Sequence, residues 1–233
     1  EQGIVDQLWV IGPKPSFVPW EDEYEKIFGK SSEDNVIRYA GSRTKRIALL
    51  SKIENVDVVL LGFGLVSNDL ERLQRVWQKN GKKIFLIIDE AHHIKTIRNE
   101  TESGELTTAA AAIELGKGAV KRCILTGTPL PHDWYDLWSQ FTFLYPDGEV
   151  FGTRGEYENL LLEPDADELI GKRIESLWTR VTLNQLSKQL PKPIVKEESV
   201  IMDELQQEVY DLLIEQIELM EEGTEKDKAA EWK

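Results

Sequence analysis

Ile84-Phe85-Leu86-Ile87-Ile88-Asp89-Glu90-Ala91-His92-His93 is an apolar run that stops abruptly at two adjacent carboxylates. A strand buried on both faces reads as a continuous apolar run, and this one delivers its acidic side chains to the carboxyl edge of a parallel sheet. Ligands of open α/β sheets bind at that edge. An Asp-Glu pair there suits divalent metal and water chemistry, because one carboxylate can hold Mg²⁺ while its neighbour takes a proton. Taken alone, the pair also fits two solvated carboxylates that open a loop.

Three other apolar runs share the pattern. Leu8–Ile11 runs into Gly12-Pro13-Lys14, Val56–Leu61 into Gly62-Phe63-Gly64, and Cys123–Leu125 into Thr126-Gly127-Thr128-Pro129. Segments of helical periodicity lie between them: Trp20–Phe28, Arg46–Ile53, Asn68–Gln78 with Asn68 as cap, and the Ala-rich Thr107–Leu115. Alternating strands and helices predict an α/β fold, three layers deep, with a parallel sheet flanked by helices. Beyond Pro129 the chain turns helical. Trp134–Leu144 carries aromatic residues at helical spacing, and residues 150–190 repeat apolar positions at Ile170, Ile174, Leu177 and Val181. Pro191 and Pro193 are followed by a strand-like Glu198–Met202, after which Asp203 caps an amphipathic helix through Leu205, Val209, Leu212, Leu213 and Ile217. The expected division is a lobe over residues 1–148 and a helical C-terminal extension over 149–233.

Composition narrows the chemistry. The single cysteine, Cys123, excludes an intramolecular disulfide framework and a cysteine-based zinc cluster. No apolar stretch approaches the ~20 residues that span a bilayer, so no membrane partner and an intracellular location are expected. The net charge of −14 runs against a strong intrinsic grip on nucleic acid, whose binders present basic surface to phosphates. Arg38, Arg43, Lys45 and Arg46 form a local basic cluster, with a solvated helix face as its simplest reading.

The strand ends together suggest phosphoryl transfer to water, in which catalysis is mostly positioning and charge neutralisation. Asp89 is the candidate metal ligand for Mg²⁺, and Glu90 the candidate base that orients and deprotonates water. Thr126, Gly127 and Thr128 add hydroxyls and a backbone that a ligand can approach closely. No G-x-x-x-x-G-K-[ST] phosphate loop occurs in these residues. Gly12-Pro13-Lys14 is no substitute, because proline lacks an N–H donor.

Asp89-Glu90-Ala91-His92-His93-Ile94-Lys95, followed by Leu125-Thr126-Gly127-Thr128-Pro129-Leu130, resembles the Walker B and motif III strings of the Swi/Snf-type ATPases of helicase superfamily two. Val10-Ile11-Gly12-Pro13-Lys14, with Trp20 and Glu21 behind it, resembles motif Ia. Asp136-Leu137-Trp138 and Phe143-Leu144-Tyr145-Pro146 resemble the segment after motif III, and Leu190-Pro191-Lys192-Pro193 with Gln207-Glu208-Val209-Tyr210 resembles the bridge toward a second lobe. The similarity runs from about residue 8 to 220.

That resemblance implies a RecA-like first lobe of an ATP-dependent translocase on double-stranded DNA, with ATP and Mg²⁺ as cofactors and the second RecA-like lobe of the same protein as partner. By the same resemblance His92 couples the nucleotide site to motif III, Thr126 and Thr128 relay its state, and Lys14 contacts a backbone phosphate. Thr96, His132 and Gly62-Phe63 depart from the family's usual residues, and Arg180-Val181 stands in place of paired arginines. A scaffold that keeps the fold without turnover is the alternative. An RNA-directed DEAH-type helicase fits less well at Lys95 and in the segment after Pro129.

Overall fold

The computed structural model describes residues 4–95, 106–128, 134–181, 185, 194 and 196–216. The chain divides into two compact units, Glu1–Trp178 and Thr179–Lys233. The first is built on five strands: β1 (Gln7–Ile11), β2 (Val36–Tyr39), β3 (Val58–Leu61), β4 (Ile84–Asp89) and β5 (Lys121–Leu125). Their order across the sheet is β2-β3-β1-β4-β5, and every pairing is parallel. The four expected strands are all present.

Successive strand residues point to opposite faces, and each face has its own core. Trp9, Ile11, Val59, Leu61, Leu86 and Ile88 pack on one side with Leu73 and Trp77 of helix α4 (Phe63–Asn80), Leu115 of α5 (Thr108–Gly116) and Phe143 of α6 (Tyr135–Leu144). Val10, Val58, Leu60 and Ile87 pack on the other with Phe17 and Tyr24 of α1 (Phe17–Phe28). This is the three-layer α/β arrangement expected. The short α2 (Ser32–Asn35) and α3 (Arg43–Leu50) complete the crossovers around β2. A third core joins Leu137 and Phe141 of α6 to Tyr157 and Leu160 of α7 (Arg154–Leu161) and Ile170 and Ile174 of α8 (Ala166–Ile174).

Several boundaries differ from the sequence reading. β2 escapes it because Arg38 interrupts a four-residue edge strand, its side chain reaching Glu21 of α1. α1 begins at Phe17, three residues ahead of Trp20, because Pro19 falls in the first turn, where its missing N–H costs nothing. α3 begins at Arg43 under a Ser42 cap, and α4 begins at Phe63 directly after β3. Asn68 is not a cap. The backbone leaves helical geometry one residue later, at Asp69, and this kink divides α4.

In the second unit, residues 204–216 are helical, and the Asp203 carboxylate accepts from the Gln206 N–H at 2.8 Å, the expected cap. Residues 198–202 form no strand, and Val181 lies outside any helix. Thr96, His132, Leu190–Pro193 and Ile217 lie outside the described residues. Among the described residues no helix is long and apolar enough to cross a membrane.

Candidate active site

Strand register gathers the candidate residues at one edge of the sheet. Ile11 pairs with both Leu61 and Ile88, and Asp89 pairs with Leu125. Gly12, Gly62, Glu90 and Thr126 therefore all stand one step past their strands, side by side in space.

Asp89 closes β4, half-buried. Its Oδ2 accepts from the indole N–H of Trp20 on α1 at 3.1 Å, which fixes the carboxylate from the far side of the Gly12–Pro13 turn. Gly12 passes close behind it. A Cβ added at Gly12 would stand 3.2 Å from the Asp89 Cβ and 3.1 Å from the Ser16 hydroxyl. The glycine is therefore needed for space rather than for an unusual backbone angle.

Glu90 follows in the left-handed conformation, φ 55° and ψ 52°, the one non-glycine residue with positive φ among those described. An L-residue there gives up about 1–2 kcal/mol, so the neighbours must hold it. A 3₁₀ turn, Ala91–Ile94, supplies that hold: the His93 N–H donates to the Glu90 carbonyl at 3.0 Å, and Ala91 and Ile94 are buried. The Ser139 hydroxyl of α6 donates to the Ile94 carbonyl from below. The effect is to turn the chain so that the Glu90 side chain is 45% exposed while Asp89 stays against the sheet.

His92 Nδ1 lies 3.2 Å from Glu90 Oε2, a pairing distance for a protonated ring. The nitrogen is shielded from solvent and its geometry is not that of a hydrogen bond. His93 stacks against His92 at 4.5 Å and against Phe63 at 4.7 Å between ring centroids. Burial, and then the neighbouring His92, hold the His93 imidazole below its ordinary pKa, so it is neutral near pH 7.

On the β5 side the Thr126 hydroxyl accepts from the Thr128 N–H at 3.1 Å, tying Thr126-Gly127-Thr128 into a compact turn with Gly127 and Thr128 exposed. Lys14 sits in a 3₁₀ turn, Lys14–Ser16, and is exposed. Asp89, Glu90, His92 and Thr126 thus share one neighbourhood, while Lys14 projects to solvent at its margin. Trp20 and Phe63 touch the site residues directly, although spacing alone does not single them out for it. Cys123 is half-buried in β5, and burial pushes its thiol pKa up, as suits an unreactive packing residue.

The donor set fits one kind of metal site. Among the described residues no three His, Cys, Asp or Glu side chains converge to form a protein cage. Mg²⁺ typically takes one or two carboxylates and completes its shell with water and phosphate oxygens, and Asp89 beside Glu90 suits that pattern.

The match to the SNF2-related domain spans residues 1–231. The chain belongs to that family. It is 27% identical over 206 residues to an uncharacterized ATP-dependent helicase of Mycoplasma genitalium, covering 87% of this chain and 18% of that protein. Against the TATA-binding protein-associated factor MOT1 of Saccharomyces cerevisiae it is 24% identical over 243 residues, 96% of this chain and 12% of the relative. The SWI2/SNF2 ATPase core domain of Sulfolobus solfataricus superposes with a TM-score of 0.50 at 25% identity, over 74% of this chain and 32% of that one. The SNF2-related chain thus spans under a fifth of the length of these two relatives. Its fold is the RecA-like first lobe of a Swi/Snf-type ATPase of helicase superfamily two.

Proposed function

We propose that this lobe forms the metal-and-water side of an ATP site that drives movement on double-stranded DNA. One observation carries the reading: two adjacent carboxylates stand at the carboxyl end of β4, one braced by Trp20 and the other turned outward by a left-handed backbone. Asp89 would hold Mg²⁺, and the ion would supply charge neutralisation for the phosphates of ATP. Glu90, facing solvent, orients a water molecule and accepts its proton. His92 and the Thr126-Gly127-Thr128 turn border that carboxylate and relay the state of the nucleotide to the neighbouring strand.

The phosphate-binding loop is not among these residues. β5 pairs only with β4 among the described residues, and Leu125 is exposed on it, so a further strand carrying such a loop has an edge to join beside Thr126. DNA contact falls to Lys14 and to the exposed Arg43 and Lys45 after β2. Arg38 and Arg46, from the same basic cluster, are already engaged by Glu21 and Asp69. We assign residues 1–148 to the lobe and 149–233 to the extension and the bridge toward a second lobe, in an intracellular protein.

Glu90→Gln in the intact protein tests this. DNA-stimulated ATP hydrolysis is expected to vanish while nucleotide still binds, and unchanged turnover would refute the role of Glu90. Failure of the intact wild-type protein to bind nucleotide would mark a scaffold instead.

A further inference from the structure

We propose that Phe63 is a positioning residue for Glu90, acting through the stacked rings of His93 and His92. The inference deepens the reading of Glu90 as the base and rests on it. Glu90 is approached at two points by this pair of residues, by the His93 backbone amide and by the His92 ring. Its carbonyl accepts from the His93 N–H at 3.0 Å, and its carboxylate lies 3.2 Å from His92 Nδ1. The rings lie against each other at 4.5 Å with a tilt of 31°, and the outer one lies against Phe63 at 4.7 Å with a tilt of 41°. Phe63 is the first residue of α4, half-buried against the core on which α4 packs.

The backbone of Glu90 makes this contact consequential. A left-handed glutamate survives only where its surroundings over-determine it, and the stack is one wall of those surroundings. Offset aromatic contacts of this kind are each comparable in strength to the penalty they must offset. Removing one wall is therefore enough to let Glu90 relax.

α4 also has the right articulation. Its kink at Asp69 separates the opening segment Phe63–Asn68, seated in the core through Val66, from the longer body, anchored in the same core through Leu70, Leu73 and Trp77. A ligand pressing on the Gly62–Gly64 turn, where no neighbouring atom lies within 4 Å of either glycine's Cβ position, would thus be felt at Glu90. The loop after β3 becomes a point from which the base can be switched between held and released.

The test compares Phe63→Leu with Phe63→Tyr in the isotopically labelled chain by NMR. The chain has three histidines, so each imidazole signal can be assigned with single His→Gln substitutions. Phe63→Leu is expected to move the ring signals of both His93 and His92 and to shift the Glu90 13Cα resonance away from its left-handed value. Phe63→Tyr is expected to keep all three at the wild-type positions. In the intact protein, Phe63→Leu should lower kcat for ATP by about 10-fold, short of the ~10²-fold of a 1 Å misplacement, with KM unchanged and activity restored by Phe63→Tyr. If Phe63→Leu does not fold, Phe63→Met carries the same comparison.

Movement of the His93 signal alone, with Glu90 unshifted, would overturn the proposal. So would Leu and Tyr behaving alike. The two readings separate cleanly. If the NMR shifts appear but Glu90→Gln leaves turnover intact, the base assignment falls and the relay stands. If Glu90→Gln abolishes turnover and the shifts do not appear, the relay falls alone.

Discussion

Replacing Asp69 with alanine should unfasten α3 and β2 from α4, and the structure gives the size of the effect. The Asp69 side chain is 2% exposed and accepts from the Tyr39 hydroxyl at 3.0 Å, from Arg46 Nε and from Arg72 Nη1. Arg46 also donates to the Gly41 carbonyl at 2.8 Å, so the carboxylate indirectly holds the loop after β2. Hydrogen bonds to charged groups are worth about 1.5–3 kcal/mol each, but three sharing one acceptor do not add. Breaking a buried pair by deleting one partner costs about 3–5 kcal/mol. Here Arg72 is 30% exposed and Arg46 14%, so both can recover some hydration, and the lower end, ~3 kcal/mol, is expected.

For a domain of this size that corresponds to a fall in Tm of about 6–12 °C, and in urea to a lower midpoint at unchanged slope. The pH dependence has a definite sign. Burial alone would raise the Asp69 carboxyl, but the hydrogen bonds from Arg46, Tyr39 and Arg72 outweigh it, so its pKa lies below the usual carboxylate range. A depressed folded pKa contributes stability that is fully present above the unfolded value of about 4 and is lost as pH falls through the folded one. Tyr39, with its hydroxyl pushed up to about 12, first by burial and then by Asp69, stays a donor throughout. Wild type and Asp69→Ala should therefore differ fully at pH 7 and converge only below about pH 4. A difference under ~1 kcal/mol at pH 7, or one that persists undiminished into strong acid, would refute the reasoning.

Gly12→Ala pushes a methyl group against Asp89 and Ser16. It should cost about 1–2 kcal/mol in thermal melts and weaken Mg²⁺-dependent turnover in the intact protein. Glu90→Gly should relieve the left-handed strain of about 1–2 kcal/mol, less glycine's entropic penalty of about 0.5–1, and leave the chain equally or slightly more stable while turnover is lost. A destabilised Glu90→Gly variant in urea titration would contradict this. Lys14→Ala should weaken DNA binding by the intact protein without regard to sequence and reduce the slope of log K against log salt by about 1 in fluorescence titrations.

The sheet was legible because the strands β1, β3 and β4 are buried on both faces and so carry unbroken apolar runs. β2 is an edge strand, and Arg38 breaks its signal for a reason visible only in three dimensions, its pairing with Glu21. The candidate carboxylate pair was legible as an abrupt change of polarity at Asp89. What holds it in place was not. Trp20, Phe63 and Ser139 meet the Asp89–Ile94 segment through tertiary contacts across crossover connections, and no spacing rule encodes such meetings. The kink at Asp69 left only a trace, a periodicity that began afresh near Asn68 in mid-helix. The helix at 204–216 was readable from its Asp203 cap and apolar repeat, whereas the β-branched residues near 198–202 suggested a strand that has no neighbour to pair with among the described residues.

The position of β1 bears on how the chain can be made and cut. Gln7–Ile11 is synthesised before the strands that flank it and ends in the middle of the sheet, with β3 on one side and β4 on the other. It must wait for both, so the nascent chain holds Trp9, Val10 and Ile11 unburied until residue 88 has been synthesised. Local helices can form meanwhile, but the sheet closes late, in one step. A deletion of Gln7–Ile11 would for the same reason remove the centre of the described sheet, leaving β2-β3 and β4-β5 as two ribbons with nothing between them.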